Sequence, residues 1–400
     1  MGPLDGVKVV ELAHEHVAWA GKLLADLGAD VVVVEPPGGA PQRSAGPFLD
    51  DEPGPERSLS WWHYNTGKHS AVADLERERE QVAALVGGSD VVLEAEPPGR
   101  LAALGMGWDT LSARHPRLIM VSVTPFGQES ARSAEPVTEL TLMAEGGPVW
   151  SCGYDDHDLP PVRGGGNQGL HIGCHWAVMA LLVALMERER SGRGQRIDVS
   201  MSAANNVTTE MASYGWLAAA EEMRRQTGRH AAPKPTARTQ VRCRDGRYVT
   251  TGVPPRDPGT FARVVDLLDR RGLRDEFPLT ALLEMGAERE QLSYADITSD
   301  PLVGEMLAAG REVLSFLAER LDAYDFFSET QRIGVATGVI YTPGEAMQDP
   351  NAVARRFPTP VHHPELDRDL TYPGPPYRFS GTPWSTRRAP LLGEHQERLG

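Results

Sequence analysis

The sequence has few cysteines and fewer basic than acidic residues. Its three cysteines are isolated in 400 residues and lack the paired spacing of a metal site or a disulfide framework. They predict reduced thiols and a cytoplasmic protein. Lys and Arg number 40 against 55 Asp and Glu, and this formal charge of −15 argues against nucleic acid as the main partner. An anionic ligand would therefore need a local cluster of arginine, lysine and backbone N–H groups.

Long apolar segments are also missing. No apolar run approaches the roughly 20 residues that span a bilayer, so we expect no membrane association. The N-terminal stretch MGPLDGVKVVEL lacks the charged-then-apolar layout of a signal peptide. The hydrophobic fraction, 40%, suits a globular chain with a sizeable core. A length of 400 residues predicts two domains or one large discontinuous domain.

The first half of the chain alternates strand and helix patterns. Apolar or β-branched runs predict buried strands at 7–12, 30–35, 89–95 and 117–124. Helical spacing predicts helices at 17–29, 76–86 and 100–113. This alternation predicts an α/β fold with a parallel sheet. The chain becomes more helical and charged towards residue 325, and its proline-rich tail from about 345 predicts an extended arm.

Three turns follow predicted strands and indicate where a ligand would bind. They read PPGGAPQR at 36–43, EAEPPGRLAALGMGW at 94–108 and TPFGQ at 124–128. The carboxyl ends of parallel strands share one edge of a sheet, which is where α/β proteins bind ligands. The pattern G-x-G-x-x-G is absent after the first strand, so a dinucleotide is disfavoured.

Several segments, in order, closely resemble the family III CoA-transferases, also called the CaiB/BaiF family. They read GADVVVVEPPGG, NTGK, PRLIMVSVTPFGQ and RSGRGQRIDVS. The resemblance implies a Rossmann-like parallel-sheet large domain and a smaller inserted domain, in an interlocked ring-like homodimer. The corresponding boundaries are 1–215 for the first part of the large domain, 216–330 for the small domain and 331–400 for the returning segment. The implied ligands are coenzyme A, an acyl-CoA and a carboxylic acid, with no metal.

The resemblance also suggests residues for the CoA site. Arg43 follows the PPGG turn and Lys68 ends the NTGK segment, both at basic positions of the family. In the 94–108 turn the family's arginine is a proline here, and Arg100 is its candidate substitute. Met106 falls where the family packs side chains near the adenine. The alternatives are solvated surface charges for Lys68 and Arg100 and core packing for Met106.

The family's attacking residue has no counterpart in this chain. In the family, an aspartate at the start of a helix attacks the thioester, forms a mixed anhydride and then carries CoA as a thioester. Matching that helix to residues 164–185 places the position at Gly169 or Leu170, or near Asn167. We predict that Asn167, Gln168 and the N–H groups at the helix start hold a thioester carbonyl instead. The alternative is that Asn167 caps the helix.

Other side chains offer acid–base chemistry. Glu139 stands where the family has an aspartate, and His171 and His175 share one helix face at i and i+4. With Glu139 or Glu145 opposite, the two histidines would form a general acid–base pair near pH 7. The alternative is a pair of core histidines. A zinc site lacks a third ligand, and the aspartates of 153–161 are a further candidate for a displaced nucleophile.

An aromatic segment, SWWHYNTGK at 60–68, is a candidate lining of the acyl pocket, and a core or dimer contact is the alternative. Three functions follow from these observations. The first is CoA transfer between carboxylic acids without the usual aspartate. The second is a dehydratase, isomerase or epimerase acting on an acyl-CoA through His171, His175 and Glu139. The third is a non-catalytic acyl-CoA binding protein or a repurposed scaffold.

Overall fold

Six parallel strands form the main sheet of the structure, a computed structural model that describes residues 2–400. The strands are β1 (Lys8–Leu12), β2 (Asp30–Glu35), β3 (His69–Val72), β4 (Val91–Glu94), β5 (Ile119–Thr124) and β6 (Arg196–Ser200). Their order is β3-β2-β1-β4-β5-β6, a doubly wound arrangement. The predicted α/β fold with a parallel sheet is confirmed. Strands β3 and β6 were not among the predicted strands.

The sheet belongs to a compact unit, here called the sheet unit, which among the described residues contains 2–150, 162–217 and 347–400. Its helices are α1 (Glu15–Asp26), α2 (Leu59–Tyr64), α3 (Arg79–Gly87), α4 (Arg100–Ala103), α5 (Trp108–Arg114), α6 (Glu139–Gly146), α7 (Gln168–Ser191), α8 (Met201–Val207) and α9 (Glu210–Ala219), the last ending at the unit boundary. One face of the sheet packs on α1 and α7, and the other packs on α3 and α5. The β-branched runs of β1 and β2 are buried because helices cover both faces.

Helix α7 is longer and more apolar than the sequence patterns indicated. By length and composition alone its 24 residues would suffice to cross a membrane. One of its faces, however, packs against α1, α8 and the strands β5 and β6. Leu170, Cys174, Ala177 and Leu181 lie on that buried face. The helix is therefore part of the core of the sheet unit.

The second compact unit, here called the helical unit, contains residues 151–161 and 218–346. Its strands are β7 (Arg224–Gln226), β8 (Arg229–Ala232), β9 (Gln240–Arg242), β10 (Tyr248–Thr250) and β11 (Gly338–Val339). Its helices are α10 (Pro258–Arg271), α11 (Thr280–Glu288), α12 (Pro301–Arg320) and α13 (Ala323–Arg332). Phe261 and Phe326 are fully buried at the centre of its apolar core. This unit extends to residue 346, beyond the boundary of 330 predicted for the small domain.

The end of the C-terminal segment lies beside β3, the edge strand of the main sheet. The segment contains α14 (Pro343–Gln348), α15 (Pro350–Ala354) and a hairpin of β12 (Pro358–His363) and β13 (Arg368–Pro373). Beyond the hairpin, the N–H of His395 donates to the carbonyl of Ser70, and Gln396 exchanges hydrogen bonds with the backbone of Val72. The arm thus satisfies backbone groups of β3 that an edge strand would leave unpaired.

Candidate active site at the start of helix α7

Three polar side chains meet where α2 ends and α7 begins. The Nδ2 of Asn167 donates to the hydroxyl oxygen of Tyr64 at 3.1 Å. The same hydroxyl lies 2.9 Å from Nε2 of His171. The phenol oxygen accepts from the amide, and its contact with His171 is a hydrogen bond whose direction depends on which ring nitrogen carries the proton. The network joins residues that are about a hundred positions apart in the sequence.

Trp19 of α1 completes this cluster. Its indole is stacked with His171 on one side, with ring centroids 4.4 Å apart, and with His63 at 5.5 Å. Its N–H points at Nε2 of His175 at 3.4 Å. The sequence pattern of α1 did not single out Trp19, because only the fold brings α1, α2 and α7 together.

The histidines of the cluster are uncharged at neutral pH. Burial, and then the nearby His175, lower the pKa of His171 to about 4. Burial, followed by Lys22 and His171, lowers the pKa of His63 to about 4. Burial lowers the pKa of His175 as well, and it raises the pKa of Tyr64. The acid–base pair of His171 and His175 stays a prediction, and these shifts favour two neutral rings at pH 7.

Glu139 does not face the histidines; it binds the start of α7. Its Oε1 accepts a hydrogen bond from the N–H of Gly169 at 2.8 Å, and its Oε2 accepts one from the N–H of Leu170 at 3.2 Å. A carboxylate is favoured there by the free N–H groups and the positive end of the helix dipole. Glu145, the other expected partner, pairs with Arg132 at 2.6 Å.

Asn167 occupies the position before the first helical residue but makes no capping hydrogen bond with its side chain. The expectation that it caps α7 is wrong, because Glu139 takes that role. The N–H groups of Gly169 and Leu170, expected to hold a thioester carbonyl, are used by the same carboxylate. Gln168 is exposed, and its amide donates to the carbonyl of Gly165 at 3.3 Å.

Position 169 has almost no room for a side chain. A Cβ atom on Gly169 would lie 3.0 Å from Sδ of Met143, 3.2 Å from Oε2 of Glu139 and 3.3 Å from Oδ1 of Asn205. The carboxylate of Glu139 thus reaches, from α6, the place where the family's aspartate was expected. No sequence spacing signals this, since 30 positions separate Glu139 from Gly169.

Two of the three cations suggested for the CoA site, Arg43 and Lys68, are buried in internal ion pairs. Arg43 is 1% exposed; its guanidinium binds both oxygens of Glu35, at 2.7 and 2.8 Å, and stacks on Trp61. Lys68 is 3% exposed and donates to Glu11 at 2.8 Å. Since their donors are engaged inside the fold, these residues do not form an exposed phosphate site, which corrects that expectation.

Arg100 and Met106 lie in the 94–108 turn but have different surroundings. Arg100 is exposed and pairs with Glu96 at 2.8 Å. Met106 is 2% exposed and packs in the core under β4 and β5, so its side chain is a core residue. A cavity of about 340 Å³ opens beside this turn. The lining includes Glu94, Glu96, Gly99, Trp108, Gln128 and Arg196.

Within residues 2–400, no three His, Cys, Asp or Glu side chains form a group that could hold a metal ion. Cys174, between the two histidines of α7, is buried, and burial raises the pKa of its thiol to about 12. Its Sγ donates to the carbonyl of His16 at 3.0 Å. A thiol in this state is a core group and is not activated for attack.

Comparison with known proteins identifies the family. The model of the family described as CoA-transferase family III matches residues 4–396 of this chain. Succinyl-CoA:(R)-benzylsuccinate CoA-transferase subunit BbsE of Thauera aromatica is 31% identical over 395 residues, covering 98% of this chain and 92% of that protein. Succinyl-CoA–D-citramalate CoA-transferase of Chloroflexus aurantiacus is 30% identical over 416 residues, with coverage of 99% and 93%.

A solved structure supports the same family assignment. A CaiB/BaiF family protein from Brucella suis superposes with a TM-score of 0.78 at 28% identity, covering 99% of this chain and 98% of that one. The match of sequence and fold extends over both compact units. This chain therefore belongs to CoA-transferase family III and is an acyl-CoA transferase.

Proposed function

We propose that this protein transfers CoA from succinyl-CoA to a second carboxylic acid, with Glu139 as the attacking carboxylate. The two relatives described above are both named for succinyl-CoA as a substrate, which supports the choice of donor. Their acceptors, (R)-benzylsuccinate and D-citramalate, are both dicarboxylic acids. An acceptor with two carboxylates is therefore the expected class.

The position of Glu139 is the observation that carries this proposal. Its carboxylate is the only one that hydrogen-bonds to the start of α7 within the described chain, and it lies against Gly169. Each oxygen accepts one hydrogen bond there, so lone pairs remain for attack. The carboxylate is also held in place, which fixes the direction of approach to a bound thioester.

The reaction follows as a balanced exchange. The carboxylate of Glu139 attacks the thioester carbonyl, and CoA thiolate leaves as a mixed anhydride forms. The thiolate then attacks the Glu139 carbonyl carbon, which releases succinate and leaves a Glu139–CoA thioester. The acceptor carboxylate then attacks the Glu139–CoA thioester, which releases CoA thiolate and forms a second mixed anhydride. The thiolate attacks the acceptor carbonyl of that anhydride, so the new acyl-CoA forms and the Glu139 carboxylate is regenerated.

Neutral donors in the cluster assist this chemistry. Asn167 uses one amide hydrogen for Tyr64, and its second hydrogen is available for a thioester carbonyl oxygen. Tyr64 and His171 hold that amide without adding charge, because burial keeps the His171 ring uncharged. Gln168, exposed beside it, is a second candidate donor.

CoA itself is assigned to the carboxyl edge of the main sheet. The cavity beside the 94–108 turn is the proposed binding place; Arg196 lines it, and Arg100 is an exposed cation of the same turn. The three free cysteines agree with a cytoplasmic location. A dimer remains the proposed assembly.

An activity assay tests the proposal directly. The full chain is mixed with succinyl-CoA and a panel of dicarboxylic acids, and formation of a new CoA thioester is measured by chromatography. Glu139→Gln should abolish transfer, and hydroxylamine should trap an adduct at Glu139 in the unaltered protein only. Glu145→Gln, on the same helix, is the matched control and should keep full activity. An active Glu139→Gln variant without an adduct would refute the role of Glu139.

A second candidate is that this chain binds acyl-CoA while a different subunit supplies the attacking carboxylate. Two observations favour it. The relative from Thauera aromatica is named as a subunit. In addition, α7 exposes an apolar row beyond the candidate site. Its members are Trp176, Met179, Val183 and Met186, between 42% and 75% exposed and spaced three or four residues apart.

The two candidates predict different results for the purified chain. Under the first, the chain alone transfers CoA. Under the second, the chain alone is inactive, and activity appears when it is co-purified with a second family III chain that has an aspartate at the matching turn. Met179→Glu should then prevent assembly and activity, because a charge on the apolar row would be buried at the interface.

A further inference from the structure

The helical unit contains a cavity lined by arginines and by no carboxylate. Its volume is about 510 Å³, and it lies between the loop after β8 and helix α12. Arg229, Arg238 and Arg311 line it together with His230 and three threonines, at positions 236, 239 and 251. No Asp or Glu is among its lining residues. In a chain with a formal charge of −15, such a concentration of positive charge is unexpected unless it binds an anion.

Two of the three guanidinium groups have no partner within the described chain. Arg229 donates to Oε1 of Gln226 at 2.7 Å and to Oδ1 of Asp155 at 2.5 Å. Arg238 and Arg311 make no hydrogen bond or ion pair to any group that the structure describes. Most other arginines of the helical unit, such as Arg271 with Glu329, are paired. Among the described residues the guanidinium of Arg224 is also unpaired but does not line the cavity, so it is the combination of two unpaired guanidinium groups in one cavity that distinguishes this place.

The loop that forms one wall is held in a defined shape. Gln226 is 7% exposed, and its Oε1 accepts a hydrogen bond from the N–H of Thr236 at 2.8 Å. Its Nε2 donates to the carbonyls of His230 and Lys234, both at 3.3 Å. One buried amide thus fixes the loop that leads to Arg238. A fixed loop reduces the entropy that a ligand would lose on binding.

We propose that this cavity binds a small oxyanion with at least two negative charges, held between Arg238 and Arg311. Guanidinium groups bind carboxylates and phosphates through two parallel hydrogen bonds, so two unpaired arginines suit a dianion. The threonine hydroxyls at the wall are additional donors. The ligand would be either a dicarboxylic acid or the phosphate part of a CoA-like molecule. The existence of the site does not depend on the proposed function; only the source of the ligand does.

Calorimetric titration of the full chain tests the proposal. The probes are succinate, 3′,5′-ADP and inorganic phosphate, each titrated separately into the protein. Arg238→Gln and Arg311→Gln should each weaken binding of the favoured probe by about 10- to 100-fold, as expected for a lost charge-assisted hydrogen bond. The double variant should lose one binding site per chain. Tighter binding of succinate would indicate a dicarboxylic acid as the ligand, and tighter binding of 3′,5′-ADP would indicate the phosphate part of a CoA-like molecule.

Arg224→Gln is the matched control, because Arg224 is an exposed arginine of the same unit that does not line the cavity. It should leave the affinity unchanged. If the double variant does not fold, Arg311→Lys keeps the charge, removes the planar fork and should still weaken binding. Equal affinity in the unaltered protein and the folded variants, or no binding of any probe, would overturn the proposal. Glu139→Gln should leave anion binding intact, so failure of the proposed function would be recognised separately.

Discussion

In the sheet unit, the guanidinium of Arg43 is buried against both oxygens of Glu35, and the ammonium of Lys68 is buried against Glu11. In the helical unit, Arg238 and Arg311 line an open cavity without a carboxylate. The first pair of cations stands at positions where a family resemblance suggested ligand binding. The second pair was not singled out by any motif. The position of a cation in a family motif therefore does not show that it binds a ligand. Whether its donors are already paired inside the fold decides that.

The physical reason lies in burial. A charge taken out of water must be paired, and once it is paired inside the fold its donors are no longer available. An arginine at a cavity wall keeps its hydration and its donors until a ligand arrives. Within the sheet unit the same rule applies to carboxylates: Glu139 is held by backbone N–H groups, whereas Glu145 pairs with Arg132 nearer the surface.

The largest expected effect is the loss of a buried pair. Arg43→Gln leaves Glu35 buried without its partner, which should cost about 3–5 kcal/mol in the free energy of unfolding. All eight tryptophans lie in the sheet unit, so urea unfolding followed by tryptophan fluorescence reports on that unit alone. Arg100→Gln, which removes an exposed pair with Glu96, is the control and should cost less than about 1 kcal/mol. Equal losses would contradict the contrast between buried and exposed cations.

A second expected effect is acid sensitivity of the cluster around Trp19. The pKa of His171 is lowered from 6.5 to about 4, so the unfolded chain binds a proton first as the pH falls. Stability should therefore be fully present above about pH 6.5 and decrease between pH 6.5 and 4. The contribution of His171 is about 1–2 kcal/mol, discounted because its ring is partly exposed to solvent.

Thermal melting across this pH range measures the effect, and His171→Gln should flatten the pH dependence. His362→Gln, at an exposed histidine of β12, is the control and should leave it unchanged. A variant at position 171 with the same pH dependence as the unaltered protein would show that this ring is not kept uncharged by burial.

A smaller effect is expected at the start of α7. Glu139→Ala removes the acceptor for two backbone N–H groups and should lower the free energy of unfolding by about 1 kcal/mol. Tryptophan fluorescence in urea is again the measurement. Glu145→Ala breaks only a surface pair with Arg132 and should cost about 0.5 kcal/mol or less. A neutral result for Glu139→Ala would mean that this carboxylate does not cap the helix.

The smallest effect is expected in the arginine cavity. Arg311→Gln breaks no ion pair, so the free energy of unfolding should stay within about 0.5 kcal/mol of the unaltered protein. Scanning calorimetry is suitable, because the helical unit contains no tryptophan. A loss above about 2 kcal/mol would show that Arg311 supports the fold and would weaken its assignment to a ligand.

Much of the sheet unit could be predicted from local patterns. The runs at 7–12 and 30–35 correspond to β1 and β2, since strands buried on both faces must be continuously apolar. The strand β6, RIDVS, was missed because a charge interrupts its apolar run. The candidate site was predicted less completely: Asn167, His171 and Glu139 were named, but Trp19 was not, and the hydrogen bonds of Glu139 to the start of α7 were not foreseen.

The sequence by itself determined the family, the strands β1, β2, β4 and β5 of the main sheet, and the absence of an acidic residue from the turn before α7. Each of these properties can be read from residues that are close together in the sequence, because their types and spacing decide the local structure. Only the tertiary structure decided that Glu139 reaches that turn from 30 positions away and that Arg43 is buried while Arg311 is unpaired. Ion pairing and burial depend on segments distant in the chain, and packing alone brings those segments together.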